Sequence, residues 1–178
     1  MGCPKHLLKQ HDTGLSLLEH HIARASQHPF RRRYLAGVDS EKLPPDWQSL
    51  ADSLEFAGQG PLAGLAAALT LSETGWVAVL AVDYPNFPLH QFFRAAVEHP
   101  NPDWIVFSDR EGREQWLCSL MKPKLAGLVT GALREGRRSV HGLRNHTRCL
   151  VLGLGENEAP GAFLNLNTPH DLKEWVRP

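Results

Sequence analysis

The sequence predicts an α/β fold in which a mostly parallel sheet carries helices on both faces. Two observations favour this class. The uncharged apolar run at residues 76–82 is too short to cross a membrane and too continuous for a half-buried edge strand, which indicates a central strand buried on both faces. Predicted strands and helices also alternate along the chain, without an internal repeat or a long linker. We therefore expect one domain over residues 1–178, with one sizeable core.

The amino-terminal half predicts two helices, each with apolar side chains at helical spacing. The first ends before Pro29, and the second follows a glycine-rich loop and ends at Gly75. Short strands are expected at residues 34–38 and, more weakly, at 50–53. The apolar stripes consist of Leu15, Leu18, Ile22 and Ala25 in the first helix, and Leu62, Leu65 and Leu69 in the second.

The carboxyl-terminal half continues the alternation. We expect residues 115–121 to pair with residues 103–108 across the polar turn 109–114. Further strands are predicted at 147–152 and 162–166, and helices at 89–98, 123–133, 139–145 and 170–176. In the helix at 89–98, the residues expected to face the sheet are Phe92, Phe93, Ala96 and Val97.

Composition limits the classes of function. Nineteen basic and 19 acidic side chains give a net charge of zero, which argues against broad nucleic-acid or membrane-surface binding. The 3 cysteines form no CxxC pair, and neither a transmembrane run nor a signal-peptide core is evident, so we expect free thiols in the cytoplasm. Ten histidines invite a metal site, but His6, His11, His20, His21 and His28 lack a partnered ligand spacing, and we expect these side chains to be solvated.

Asp83 is the first candidate for a metal ligand. It directly follows the predicted strand 76–82, and Tyr84, Pro85 and Pro88 then force a loop. The carboxyl ends of strands in open α/β sheets are where ligands bind. Capping of the next helix is the alternative role for Asp83, and the strand end alone leaves both open.

Three other stretches could carry chemistry. Gly2 and Lys5 place a small residue and a point charge where a phosphate could approach, although a terminal lysine is often just solvated. Residues 58–64 form a flexible loop before a helix, suited to an anion or a base, or serve as a plain helix entry. Asn165 and Asn167 alternate at a predicted strand end, so both amides can point the same way, or they form a turn and cap.

Taken in order, these motifs resemble the molybdenum cofactor guanylyltransferase family, of the molybdopterin-guanine dinucleotide biosynthesis protein A type. The matching stretches are GPLAGLAAAL, the DYP turn at Asp83, FLNLNTPHDL, and MGCPKHLLKQHDTGLSLLEH, which together span nearly the whole chain. This resemblance implies a Rossmann-like nucleotidyltransferase fold, a three-layer sandwich with a mostly parallel sheet.

The resemblance also implies a reaction. The terminal phosphate of molybdopterin would attack the α-phosphorus of GTP and release pyrophosphate, with Mg²⁺ as cofactor. Other molybdenum cofactor biosynthesis proteins would be further partners. Asp83 would bind Mg²⁺, and Lys5 would contact the nucleotide phosphates close to Gly2. The remaining implied site residues are Asp52, Gly60 and Pro61 for guanine and ribose, Asn165 and Asn167 near molybdopterin or the metal, and a basic rim of Arg110, Arg113, Lys122, Lys124, Arg134, Arg137 and Arg138.

Two features depart from the family pattern. The family begins with an apolar strand and a loop of the type LAGGxSxRMG, and this chain starts at the Met of that pattern. We expect a start recorded too late, rather than a weakly active or inactive remnant. Pro4 replaces the usual acid before Lys5, as in the related cytidylyltransferases, but GPLAG and NLNTP favour GTP over CTP. A non-catalytic nucleotide- or pterin-binding protein is the alternative from another class.

Overall fold

A computed structural model describes residues 5–10, 13–37, 43–73, 75–154, 161–164, 166 and 175; at Lys5 it describes the backbone only. Its helices are α1 (Leu17–Ser26), α2 (Pro61–Leu71), α3 (His90–Glu98) and α4 (Ala126–Arg134). Its strands are β1 (Tyr34–Ala36), β2 (Gln48–Leu50), β3 (Val77–Leu80), β4 (Trp104–Ser108), β5 (Glu114–Met121) and β6 (Cys149–Gly153). Short 3₁₀ helices lie at Lys5–Leu7, Leu54–Phe56, Pro123–Leu125 and His141–His146.

The described strands form a four-stranded sheet in the order β3-β5-β4-β6 and a separate parallel pair, β1 and β2. β5 runs antiparallel to both of its neighbours, whereas β4 and β6 are parallel. β3, β4 and β6 therefore point in one direction. The α/β class is confirmed, but the sheet is mixed rather than mostly parallel, because the strand after β4 returns through the predicted hairpin.

Apolar clusters lie on both faces of the sheet, as expected for three layers. α2 and α4 pack on one face, where Trp104 and Val106 of β4 are fully buried. α3 packs on the other, against Ile105 and Phe107. This alternation follows from the two-residue period of a strand and explains why all five residues of β4 are buried.

The prediction that residues 76–82 form a central strand was wrong for the described part of the sheet. β3 pairs there with β5 alone, and its four residues are half-buried. Val77 and Val79 contact the cluster under α2, and Ala78 and Leu80 contact the opposite one. Apolar contacts on both faces produce a continuous apolar run even where one backbone edge lacks a partner strand.

Several local predictions also need correction. β2 begins and ends earlier than the predicted strand at 50–53. Val97 is 80% exposed, and the buried face of α3 consists of Gln91, Phe92 and Ala95. Residues 161–163 form a turn rather than the start of a strand. Of the predicted helix at 170–176, only Trp175 lies within the described residues, where it is helical and buried.

Candidate functional site

The carboxyl ends of β3, β4 and β6 meet at one edge of the sheet. Asp83 lies in the loop of residues 81–89, here called the Asp83 loop, and Asp109 directly follows β4. The Tyr84 hydroxyl donates to Gln115 Oε1 at 2.6 Å, and Gln115 Nε2 donates to Asp109 Oδ2 at 3.3 Å. These hydrogen bonds connect the loop after β3 with the loop after β4.

The carboxyl-terminal motif comes next to Asp83. The Leu166 N–H donates to the backbone oxygen of Asp83 at 3.2 Å, and Asp83 Oδ1 is buried. Asn165 and Asn167 flank Leu166 in the sequence, but both lie outside the described residues, as does Gly2. The structure thus places the Leu166 backbone beside that of Asp83, and the roles of the two amides stay predictions.

Side chains on one face of α1 form hydrogen bonds with backbone carbonyl groups of the Asp83 loop. Arg24 donates to the carbonyl oxygens of Pro85 and Phe87, with a distance of 2.5 Å to Phe87. Nε2 of His21 lies 3.0 Å from the Val82 oxygen, and Nε2 of His20 lies 3.3 Å from the Pro85 oxygen. Because carbonyl oxygens only accept, both imidazoles must carry their proton on Nε2.

These contacts correct the expectation that His20 and His21 are solvated. Both are partly buried, and burial lowers the pKa of His21 to about 4, so its ring is neutral at pH 7. Burial also lowers the pKa of Arg24, but an arginine stays charged in proteins. His21 and Arg24 continue the stripe of the fully buried Leu17 at helical spacing, and this was the available sequence signal.

A cavity of about 870 Å³ lies between β1, β3 and the start of α2. Asp52, Gly60 and Pro61 line it, as does His6, the neighbour of Lys5. Its other lining includes the two strands and Val82, so it extends to the base of the Asp83 loop. The cavity brings together the residues predicted to face guanine and ribose.

The sequence around Asp52 explains how this end of the cavity is built. Asp52 Oδ2 accepts from the Gly58 N–H at 3.2 Å, which fixes the loop before α2. Gly60 has φ of +78°, a conformation that favours glycine, and Pro61 opens the helix, where no N–H is needed. A Cβ on Gly64 would lie 3.3 Å from Ala36 Cβ, so glycine allows α2 to approach β1 closely.

Five of the seven side chains of the predicted basic rim form ion pairs with carboxylates. Lys124 bonds Asp103 at 2.7 Å, at the amino end of β4 and thus at the opposite edge from Asp83. Arg134 pairs with Glu55, and the other rim ion pairs join Lys122 to Asp103, Arg113 to Asp109 and Glu111, and Arg137 to Glu135.

Two further kinds of site are not found in the described residues. In the described ranges, no group of three or more His, Cys, Asp or Glu side chains is close enough to hold a metal ion. None of the helices seen in these parts of the chain has the length and apolar character that a bilayer span requires.

Comparison with known proteins identifies the family of this chain. The family model of the MobA-like NTP transferase domain matches residues 1–149. The chain belongs to this family. The match includes β1 to β5, the Asp83 loop and the residues that line the cavity, so the MobA-like domain contains most of the candidate site described above.

Curated relatives extend the comparison. A probable molybdenum cofactor guanylyltransferase of Deinococcus radiodurans is 33% identical over 145 residues, which cover 80% of this chain and 72% of that protein. A molybdenum cofactor guanylyltransferase of Shewanella loihica is 32% identical over 117 residues, or 65% of this chain. The match spans only 58% of the length of the Shewanella protein.

Solved structures of MobA-like and related proteins share the fold. Molybdopterin-guanine dinucleotide biosynthesis protein A from Archaeoglobus fulgidus superposes with a TM-score of 0.77 at 19% identity, over 97% of this chain and 89% of that one. A Mycobacterium tuberculosis protein in complex with manganese gives a TM-score of 0.65 at 19% identity, over 98% and 92%. The nucleotidyltransferase fold expected from the sequence is therefore confirmed.

Proposed function

We propose that this MobA-like protein transfers GMP from GTP to the terminal phosphate of molybdopterin and releases pyrophosphate. The observation that carries the proposal is the position of Asp83 at the carboxyl edge of the sheet, where its backbone oxygen accepts from Leu166 of the LNLN motif, residues 164–167. The names of the curated relatives support GTP and molybdopterin as substrates. The single domain, the cytoplasmic location and partners among other molybdenum cofactor biosynthesis proteins stay predictions.

The residues present fit a Mg²⁺ ion that substrate oxygens help to bind. Mg²⁺ commonly takes one or two protein carboxylates and completes its shell with water and substrate phosphates. Asp83 offers one carboxylate, and no cluster of three acidic or histidine groups is found in the described residues. The manganese complex of a protein with the same fold is in line with a divalent cation. When bound, the ion would neutralise charge on the phosphates.

The protein's own contribution would be alignment, since phosphoryl transfer needs little covalent chemistry from side chains. Lys5 would contact the nucleotide phosphates, with Gly2 allowing close approach. The start of α2, with Gly60 and Pro61, would face guanine, and the second carboxylate oxygen of Asp52 would accept from the base or the ribose.

The direct test measures pyrophosphate release from GTP with Mg²⁺ and molybdopterin, with CTP in parallel. We expect release with GTP and a smaller rate with CTP. A preference for CTP would indicate a molybdopterin cytidylyltransferase. A folded protein that releases no pyrophosphate from either nucleotide would favour the non-catalytic binding protein.

Asp52→Asn tests the nucleotide end of the cavity. Asparagine keeps an oxygen for the Gly58 N–H but loses the charge that would strengthen a bond to guanine or ribose. We expect KM for GTP to rise by about tenfold with little change in kcat, because Asp52 would bind the guanine or ribose equally well in the ground state and in the transition state. Steady-state kinetics gives both constants. Asp46→Asn, at an exposed carboxylate that pairs with Arg33, is the control. An unchanged KM would remove Asp52 from the site.

A further inference from the structure

The contact between α1 and the Asp83 loop suggests a role beyond packing. Arg24 bonds two carbonyl oxygens that follow Asp83, and His21 bonds the carbonyl that precedes it. We propose that His21 and Arg24 are positioning residues, which hold the Asp83 loop on α1 and thereby set how tightly Asp83 binds a divalent cation. This inference rests on the metal role given to Asp83 in the proposed function.

Apolar side chains of the loop are buried in the cluster under α3, but few hydrogen bonds within the loop fix its backbone. Its internal backbone hydrogen bonds are long, at 3.2 Å from Tyr84 N to the Ala81 oxygen and 3.3 Å from Phe87 N to the Tyr84 oxygen. Pro85 and Pro88 have no N–H to donate. The side chains of His21 and Arg24 therefore donate hydrogen bonds to backbone carbonyl groups on both sides of Asp83, which adds to the few hydrogen bonds within the loop.

Arg24 is suited to this task by its shape as well as its charge. A guanidinium is a planar fork with fixed donor directions, and here it spans the carbonyls of Pro85 and Phe87. A lysine would keep the charge but could not hold both oxygens in the same geometry. If Arg24 acted through charge alone, Arg24→Lys would behave like the wild type.

A matched control lies beyond the carboxyl end of α1, just before β1. Arg33 is also largely buried, with 15% of its side chain exposed, and it also donates to backbone carbonyls. Its acceptors are the oxygens of Ala25 and His28, at 3.3 and 2.9 Å, at the end of α1 and just beyond it. Arg33→Gln thus removes a comparable guanidinium that bonds the backbone at the end of α1, without a contact to the Asp83 loop.

The first measurement is a titration with Mn²⁺, followed by the electron paramagnetic resonance signal of the free ion, on the whole chain without nucleotide. We expect Asp83→Asn to abolish binding, and Arg24→Gln and His21→Ala to weaken it by about tenfold, as is typical of groups that orient a metal ligand. Arg24→Lys should fall between Arg24→Gln and the wild type. Arg33→Gln should bind like the wild type, although it is destabilised.

The second measurement is hydrogen exchange in the metal-free protein. We expect the amides of Asp83, Tyr84 and Phe87 to exchange faster in Arg24→Gln than in Arg33→Gln, when both are compared under conditions where they are folded. Equal exchange and equal Mn²⁺ affinity in these two variants would overturn the inference, as would a wild type that binds no Mn²⁺. If these differences are seen but no pyrophosphate is released, the transferase proposal fails and the positioning role stands.

Discussion

Asp83→Ala is expected to abolish Mg²⁺-dependent pyrophosphate release and to leave the protein folded. A metal ion in phosphoryl transfer stabilises charge by several kcal/mol, so loss of its protein ligand should lower the rate by about 10²- to 10³-fold or more. Asp83 lies in a loop beyond β3 rather than among the apolar clusters, so the free energy of unfolding should fall only modestly. A pyrophosphate assay and urea unfolding measure the two effects separately.

Two further variants sharpen this test. Asp83→Asn keeps the shape of the side chain and removes the charge, so an activity close to wild type in this variant would contradict the metal role. Asp109→Asn changes the carboxylate that follows β4 at the same edge of the sheet, where Oδ1 accepts from the Arg113 N–H at 2.8 Å. Because an amide oxygen can accept the same bond, we expect Asp109→Asn to keep most of the activity.

The order of elements could be predicted from the sequence better than the order of strands. Apolar side chains at helical spacing and the polar turn at 109–114 are local signals, and the four α-helices in the described residues and the β4–β5 hairpin were predicted from them. The predicted helix at 170–176 lies almost entirely outside the described residues. The position of β3 in the sheet was not predicted correctly, because the hydrophobic pattern of a strand reports what its side chains contact and not whether its backbone edges are paired. A strand with apolar layers on both faces has the same pattern at an edge and at the centre.

The candidate site likewise has residues that the sequence signals and residues that it does not. Asp83 could be proposed as a metal ligand because an acid at a strand end is a recognisable signal, and the LNLN motif could be proposed because it resembles a family pattern. His21 and Arg24 were missed because their acceptors are backbone carbonyls, which any residue provides and which leave no mark in the sequence. Their position on the stripe of Leu17 was the available hint, since a buried histidine and a buried arginine require partners.

Asp103 is the centre of a charge cluster that should dominate stability in acid. Its carboxylate is bonded by Arg148 at 2.9 and 3.2 Å and by Lys124 at 2.7 Å, and only 8% of the residue is exposed. Its backbone N–H also donates to the Arg148 oxygen at 2.9 Å, where β4 and β6 begin. The cluster therefore joins the amino ends of two parallel strands at the edge opposite the candidate site.

These hydrogen bonds, first those from Arg148, lower the pKa of Asp103 from 3.8 to about 2. The folded state thus holds the proton less tightly than the unfolded chain does. The stabilisation is fully present above about pH 4 and is lost as the pH falls through about 2, and it amounts to about 2 kcal/mol at low salt. Because Arg148 and Lys124 are more than half exposed, added salt should reduce it.

Asp103→Asn should remove this pH dependence. We expect its free energy of unfolding at neutral pH to be lower than that of the wild type by about 2 kcal/mol, since an amide keeps the shape but not the charge-assisted bonds. Between about pH 4 and pH 2 the two curves should converge, because protonation of Asp103 removes the same interactions from the wild type. Urea unfolding across this range makes the comparison, with Asp46→Asn as a control at a half-exposed carboxylate. A constant difference down to pH 2 would mean that Asp103 contributes through packing and not through its charge.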